Sequence, residues 1–506
     1  MPDELRSLPA RPSLRHLKIE AKRRHAAGEF ATLHDAQTAI GREHGLPGWA
    51  ALKQACDLLA SGAGAEDGPA LAHVRWIIGR FRGADGAGWT APGDDELRQH
   101  FDDRLLAALP ADRLAEALAQ RPADLRGELI VIRQAPFEAQ VQLAGLRYLA
   151  IATPEPPHRL IGVRGFPLAE WITDPRVKAP PPVRAAGRPP PELGAIAARA
   201  CAELGLPALL LAGGDPGQPS WSVAAGHANL DQAVPLEPGH RFPVPGLTGL
   251  VTTTAVLRLA AAGRLDLDDP ANARLRAVRL ADDSITIREL LTHTGGVDSP
   301  DELYADAVPA LAELMGPVVG CGGPRGILWP SNGGYGVLGQ LIADITGMPY
   351  AQAATALVLG PLGMRDSRFP ARTADIPPAA VTSYTVTPDG SLEPFPPQVA
   401  TIEAVAGLWS TGADLVRLGT GWPALLPPAL AREAVTPQID ARRAGALIGL
   451  GLLLDGGTTA DGGSGIEAVT LLRSRIRDHR TFVVLTTRAV TVGSLDEQLR
   501  RAWLRH

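Results

Sequence analysis

The stretch Ala255-Val-Leu-Arg-Leu-Ala-Ala-Ala-Gly-Arg-Leu-Asp-Leu-Asp-Asp-Pro270, followed by Ile285-Thr-Ile-Arg-Glu-Leu-Leu-Thr-His-Thr-Gly-Gly296, decides the fold. Three more stretches follow in order: Ser331-Asn-Gly-Gly-Tyr-Gly-Val-Leu-Gly-Gln-Leu-Ile-Ala-Asp-Ile-Thr-Gly347, Pro361-Leu-Gly-Met-Arg-Asp-Ser-Arg-Phe369 and Ala406-Gly-Leu-Trp-Ser-Thr-Gly-Ala-Asp-Leu415. Outward from them, a helix-like segment at Glu192–Leu204 precedes strand-length apolar runs at Ala208–Ala212 and Ser220–Gly226. On the other side, Ala468–Arg473 and Thr481–Thr487 read as strands and Asp496–Leu504 as a terminal helix. Terminal strands around a helical middle predict an antiparallel sheet with a helical subdomain over residues 192–506.

Further out, residues 1–65 read as a helical module, with Leu14, Leu17 and Ala21 on one stripe and Ala36, Ala39, Ile40, Trp49 and Leu52 continuing it. Its first helix is basic, with Arg11, Arg15, Lys18, Lys22, Arg23 and Arg24; without an aromatic stacking platform, a solvated face is the simpler reading. A Gly-rich joint at 61–69 leads into residues 70–172. There the helical stretches Glu96–Leu109 and Ala111–Gln120 precede strand-length runs at Glu128–Arg133, Phe137–Leu143, Leu146–Ala152 and Leu160–Arg164. That order predicts a small α+β domain with a curled sheet. The six prolines Pro180, Pro181, Pro182, Pro189, Pro190 and Pro191 mark 173–191 as a stiff linker. The whole is an α+β multidomain chain.

Composition sets outer limits. The 506 residues are 45% hydrophobic and 20% charged, with a formal net charge of −5. Length and apolar content suit about three domains, and near-neutral charge argues against a dedicated nucleic-acid binder. Cys56, Cys201 and Cys321 are odd in number and far apart, so neither a disulfide framework nor a metal motif is readable. The acidic start Met-Pro-Asp-Glu lacks signal-peptide character, and no run is long enough to span a membrane. A cytoplasmic, soluble protein with no cofactor and no membrane partner is the expectation.

The five stretches together resemble the serine β-lactamase and penicillin-binding-protein-like hydrolase family of bacteria, in its class C branch. Residues 70–172 resemble the nuclear-transport-factor-like domain that precedes the hydrolase domain in some actinobacterial enzymes of the clavulanate-cluster type, on Phe101-Asp-Asp-Arg-Leu-Leu-Ala-Ala-Leu-Pro110 and Arg159-Leu-Ile-Gly-Val-Arg164. The hydrolase resemblance implies a serine opening a helix in Ser-x-x-Lys, where the lysine one turn on assists deprotonation of the hydroxyl. It also implies a Tyr-x-Asn loop, a Lys-Thr-Gly or His-x-Gly strand, and backbone N–H groups holding the oxyanion.

Counted without gaps from Leu257, the serine position is Gly246 and the lysine position Gly249, with Phe242 as the preceding aromatic. The Tyr-x-Asn position reads Pro330-Ser331-Asn332, and the third element reads Asp461-Gly462-Gly463, with an acid where the family carries Lys or His. No Ser-x-x-Lys occurs anywhere in the chain, and none of Thr248, Thr252, Thr253 or Thr254 has a lysine three residues on. His293 matches a position that is usually structural. The expectation is a pseudo-hydrolase that has lost acylation and binds a small molecule or a partner protein in the old cleft, through Ser331, Asn332, Asp461, Gly462 and Gly463. Glycines at 246 and 249 are expected to empty the cleft floor. The alternative is isomerase- or cyclase-type acid–base chemistry, in a middle-domain cavity with Asp102, Glu128, Glu138 or His158, or in the old cleft with Asp461 or Ser331.

Overall fold

The computed structural model describes residues 14–43, 49, 68–82, 92–108, 130–167 and 172–504, apart from residues 31, 136–137, 144–145, 154–156, 173, 301, 323–324, 327–329, 388–389, 440–446, 456, 466–467 and 491. The expected helix at 111–120, Glu128, Leu52 and most of the joint at 61–69 lie outside the described residues. The chain divides into two compact units, Met1–Phe166 and Pro167–His506. No helix among the described residues is long and apolar enough to cross a membrane.

In the first unit, α1 (Leu14–Ala26) and α2 (Leu33–Glu43) bury Leu17 and Ala21 against Ala36 and Ile40. Each pair is four residues apart, which the helical period places on one face. After α3 (Pro69–Arg82), α4 (Asp94–His100) and α5 (Asp103–Ala108) comes a four-stranded sheet of β1 (Ile130–Ala135), β2 (Glu138–Leu143), β3 (Leu146–Ala152) and β4 (Leu160–Pro167), in that order. Leu71, Val74 and Ile78 of α3 share a core with Ala139, Val141, Ala150 and Leu160 from the strands. Asp94, Asp95, Glu96, Asp102 and Asp103 sit at or near the surface.

The second unit is built on one long sheet. Its strands are β5 (Val183–Ala186), β6 (Ala208–Gly214), β7 (Trp221–Asn229), β8 (Leu447–Ile448), β9 (Leu453–Asp455), β10 (Thr458–Ser464), β11 (Val469–Arg475) and β12 (Thr481–Thr486). They lie in the order β8-β9-β10-β11-β12-β6-β7-β5, every neighbouring pair antiparallel, and a short ninth strand, Val234–Pro235, pairs with β7. Alternation along β6 explains its unbroken apolar run. Leu209 and Leu211 join Val484 and Phe482 under α6 (Leu193–Leu204) and α10 (Gly493–Leu499), while Leu210 and Ala212 join Val483 and Leu485 on the opposite face. That second face is covered by α7 (Leu247–Ala261), α8 (Asn332–Thr346) and α9 (Gly412–Gly421), whose inward residues Leu250, Val251, Leu338, Leu341, Leu415 and Leu418 complete the main core.

The segment expected as a linker differs from its reading. Residues 183–186 pair with β7 from Val183↔Ala225 to Ala186↔Ser222, so the proline-rich passage supplies the last strand of the sheet. The prolines bracket the four paired residues, and an edge strand tolerates flanking residues that lack an N–H.

Candidate functional site

The site is assembled where the N-terminus of α7 meets β10. Gly246 caps α7 with φ +74° and ψ −49°, a strained γ-turn-like conformation that glycine adopts without a Cβ penalty. Its N–H donates to the Val405 carbonyl at 2.9 Å, and the Pro245 carbonyl accepts from the Thr470 hydroxyl at 2.5 Å, which ties the helix entry to β11. A Cβ on Gly246 would lie against the Gly462 carbonyl and the Gly463 nitrogen, and one on Gly463 would come within 3.0 Å of the Gly246 Cα. Helix and strand thus meet backbone to backbone, and this contact requires the glycines at 246 and 463.

Position 249 is occupied from the other side. A Cβ there would be 3.3 Å from Cε1 of Tyr335, on the first turns of α8. Tyr335 is buried; its hydroxyl lies 3.1 Å from the Thr253 hydroxyl and 3.4 Å from the Leu291 carbonyl, and burial pushes the phenol's pKa up. The expectation that two glycines empty the cleft floor is therefore corrected: the backbone of β10 fills one position and an aromatic ring the other. The same ring covers His293, whose imidazole stacks on it with centroids 4.8 Å apart. His293 holds a left-handed φ of +55°, and its Nδ1 accepts from the Ser331 N–H at 3.2 Å, which leaves the neutral ring's proton on Nε2. Burial lowers its pKa to about 4.

Pro330 precedes α8 and has no hydroxyl or N–H to offer. Ser331 is the N-cap of α8: its hydroxyl accepts from the Gly334 N–H at 3.0 Å, as a capping serine does. The Asn332 N–H donates to the Ser299 hydroxyl at 3.0 Å, and its side chain is half-buried.

Asp461 belongs to β10, opposite Leu472 of β11, and faces α7 and Tyr335. It is 9% exposed, and its Oδ2 has no hydrogen-bond partner among the described residues. Burial pushes its carboxyl up to about 8, against the modest pull of Arg473. That guanidinium is already tied to Asp455 and Asp496. Two residues along β10, on the same face, the hydroxyl of Thr459 is likewise buried and unpartnered among the described residues. Motif reading weighs Thr253 only as a nucleophile without a lysine and does not reach Tyr335 or Thr459; the Gly-Tyr step inside Ser331–Gly347 is the available signal for Tyr335. In the N-terminal unit, His158 keeps a left-handed φ of +60°, and its carbonyl lies 3.1 Å from Nε2 of His73.

Residues 195–505 match the family model described as Beta-lactamase. The chain belongs to the β-lactamase family. Its fold is that of the penicillin-binding-protein-like serine hydrolases. Among solved structures, the octameric penicillin-binding protein homologue from Pyrococcus abyssi shares it with a TM-score of 0.53 at 21% identity, over 62% of this chain and 76% of that one. EstCE1, a hydrolase with promiscuous acyltransferase activity, aligns with a TM-score of 0.52 at 20% identity, over 61% of this chain and 96% of its own. By sequence, the chain is 32% identical to the esterase EstB of Burkholderia gladioli over 176 residues, 30% of this chain and 44% of EstB. It is 23% identical to PbpX of Bacillus subtilis (strain 168) over 269 residues, 51% of this chain and 65% of PbpX. The chain thus covers less than two thirds of either curated relative.

Proposed function

We propose that this β-lactamase-family domain is a pseudo-hydrolase that binds a small molecule beside Asp461 and Asn332 and does not form an acyl-enzyme. The observation that carries the reading is the backbone contact of Gly246 with Gly462 and Gly463, which occupies the volume a nucleophile's side chain would need. Acyl transfer requires a hydroxyl or thiol next to a base and an oxyanion donor pair. The hydroxyls nearest the start of α7 are all engaged. Thr248 donates to the Val244 carbonyl at 3.0 Å, Thr252 lies 2.7 Å from the Tyr350 hydroxyl, Thr253 bonds Tyr335, and Thr254 donates to the Leu250 carbonyl at 2.7 Å. The Ser331 hydroxyl accepts the Gly334 N–H of the α8 cap and donates to the Asp298 carbonyl at 3.4 Å. What remains for a ligand is an amide at 332 and a buried acid at 461.

The test is direct. Incubated with a fluorophosphonate probe or a fluorescent penicillin, the protein is expected to remain unlabelled by mass spectrometry. A stoichiometric covalent adduct on any residue of 242–254 or on Ser331 overturns the reading.

A further inference from the structure

Asp461 and Thr459 present a paired anomaly. Buried polar atoms are satisfied in the great majority of cases, and an unsatisfied one calls for a reason. Here two lie on one face of β10, two residues apart, and the first, Asp461, stands close enough to Tyr335 to act on its phenol. At a rise of about 3.3 Å per residue their Cβ atoms stand roughly 6.6 Å apart. One small group about 2.8 Å from each oxygen fits between two such side chains. The hydroxyls of Thr253 and Tyr335, 3.1 Å from each other, line the helix side of the same region. Every polar side chain of this set can accept a hydrogen bond, and none among them carries positive charge. Arg473, the cation whose field reaches Asp461, is bound to Asp455 and Asp496.

We propose that Asp461 and Thr459 form the recognition end of a site for a primary ammonium group, with Asp461 as its counter-charge. This rests on the reading that the domain binds and does not acylate. An ammonium has three N–H donors and no acceptor, which suits a carboxylate plus hydroxyls. A charge-assisted bond from it would satisfy Oδ2 and offset the desolvation of the acid.

Proton balance makes the proposal specific. With the carboxyl raised to about 8, Asp461 is protonated at pH 7, so capture of an ammonium expels one proton from it. Apparent affinity then rises about tenfold per pH unit between pH 6 and 7 and levels off above about 8. The other shifted groups near it stay outside that window: burial holds the Tyr335 phenol far above it and His293 near 4.

The experiment uses the full chain and ethylammonium chloride, with sodium chloride at equal ionic strength and ethanol as the neutral analogue. Expected are a rise in melting temperature with ethylammonium alone, release of a proton on binding by calorimetry in two buffers of different ionisation enthalpy, and loss of both in Asp461→Asn. That variant is isosteric with the protonated acid and is expected to fold. Thr459→Val keeps the side-chain shape and is expected to weaken binding three- to tenfold. If ethylammonium behaves as sodium does, or if Asp461→Asn or Thr459→Val binds it as tightly as wild type, the proposal falls. Fluorophosphonate labelling of the same sample reports separately on the loss of acylation, so the two readings fail independently.

Discussion

Gly246 shows what a change of one side chain does at a close approach. Its φ of +74° and its contact with Gly462 and Gly463 leave no room for a Cβ. Substitution by Ala or Ser adds backbone strain of about 1–3 kcal/mol and overpacking of similar size. We expect Gly246→Ser to lower stability by roughly 2–4 kcal/mol in chemical denaturation, a range that a loss under 0.5 kcal/mol would exclude. It follows that the double variant Gly246→Ser/Gly249→Lys will not acquire penicillin labelling: the serine must displace β10, and the lysine must displace the Tyr335 ring 3.3 Å from where its Cβ would stand. Covalent labelling of that variant would show that helix and strand part more easily than their packing implies.

Among the elements, α8 links the separate stretches of the site. Its cap Ser331 receives Gly334 N–H and offers its own N–H to His293, and one turn on Tyr335 covers His293 and Gly249. Ser331→Ala should cost about 1 kcal/mol through the lost cap. Tyr335→Phe should cost a similar amount, about 0.5–1.5 kcal/mol, because it leaves the Thr253 hydroxyl short of a partner. Both are measurable as shifts in denaturant midpoint at constant slope. The helix itself was legible, since Asn-Gly-Gly-Tyr opens a run with apolar residues at Val337, Leu338, Leu341 and Ile342 and a glycine at 347 to end it. The inward aim of Tyr335 was not, because a tyrosine on an apolar stripe reads the same whether its ring fills a core or covers Gly249. The proline-rich passage before Leu193 reads as a linker for a related reason: prolines report where hydrogen bonds are missing, and only the partner strand β7 reveals that the four residues between them are paired.

For the whole molecule, the buried acid and the buried imidazole set opposed pH dependences. Asp461 binds its proton more tightly folded than unfolded, so its contribution is complete at low pH and is lost as pH rises through about 8. His293 is the reverse case. Its folded pKa, about 4, lies below the ordinary value of 6.5, so its contribution is present above 6.5 and is lost as pH falls through 4. The two slopes oppose each other between about 4 and 6.5. Up to about 7 the buried carboxyl of Glu403, itself raised to about 7, adds to the decline; from about 7 to 8 Asp461 should lower stability by up to about 1.4 kcal/mol per pH unit. A denaturation series at pH 6.5, 7.2 and 8.0 tests this, and Asp461→Asn should flatten the profile; an equal slope in the variant would assign the effect elsewhere. Sequence by itself determined the antiparallel sheet with its helical middle, because alternating and helical periodicities record which side of each element is buried. It also determined the absence of Ser-x-x-Lys, which is a matter of residue identity. Only the tertiary structure decided that the glycines close the floor of the site, that Tyr335 and His293 bridge its parts, and that Asp461 and Thr459 lie side by side without partners. The glycine contact and the Tyr335–His293 stack join segments far apart in the sequence, and the lack of partners at Asp461 and Thr459 depends on what packs against β10; local periodicity carries no information about either.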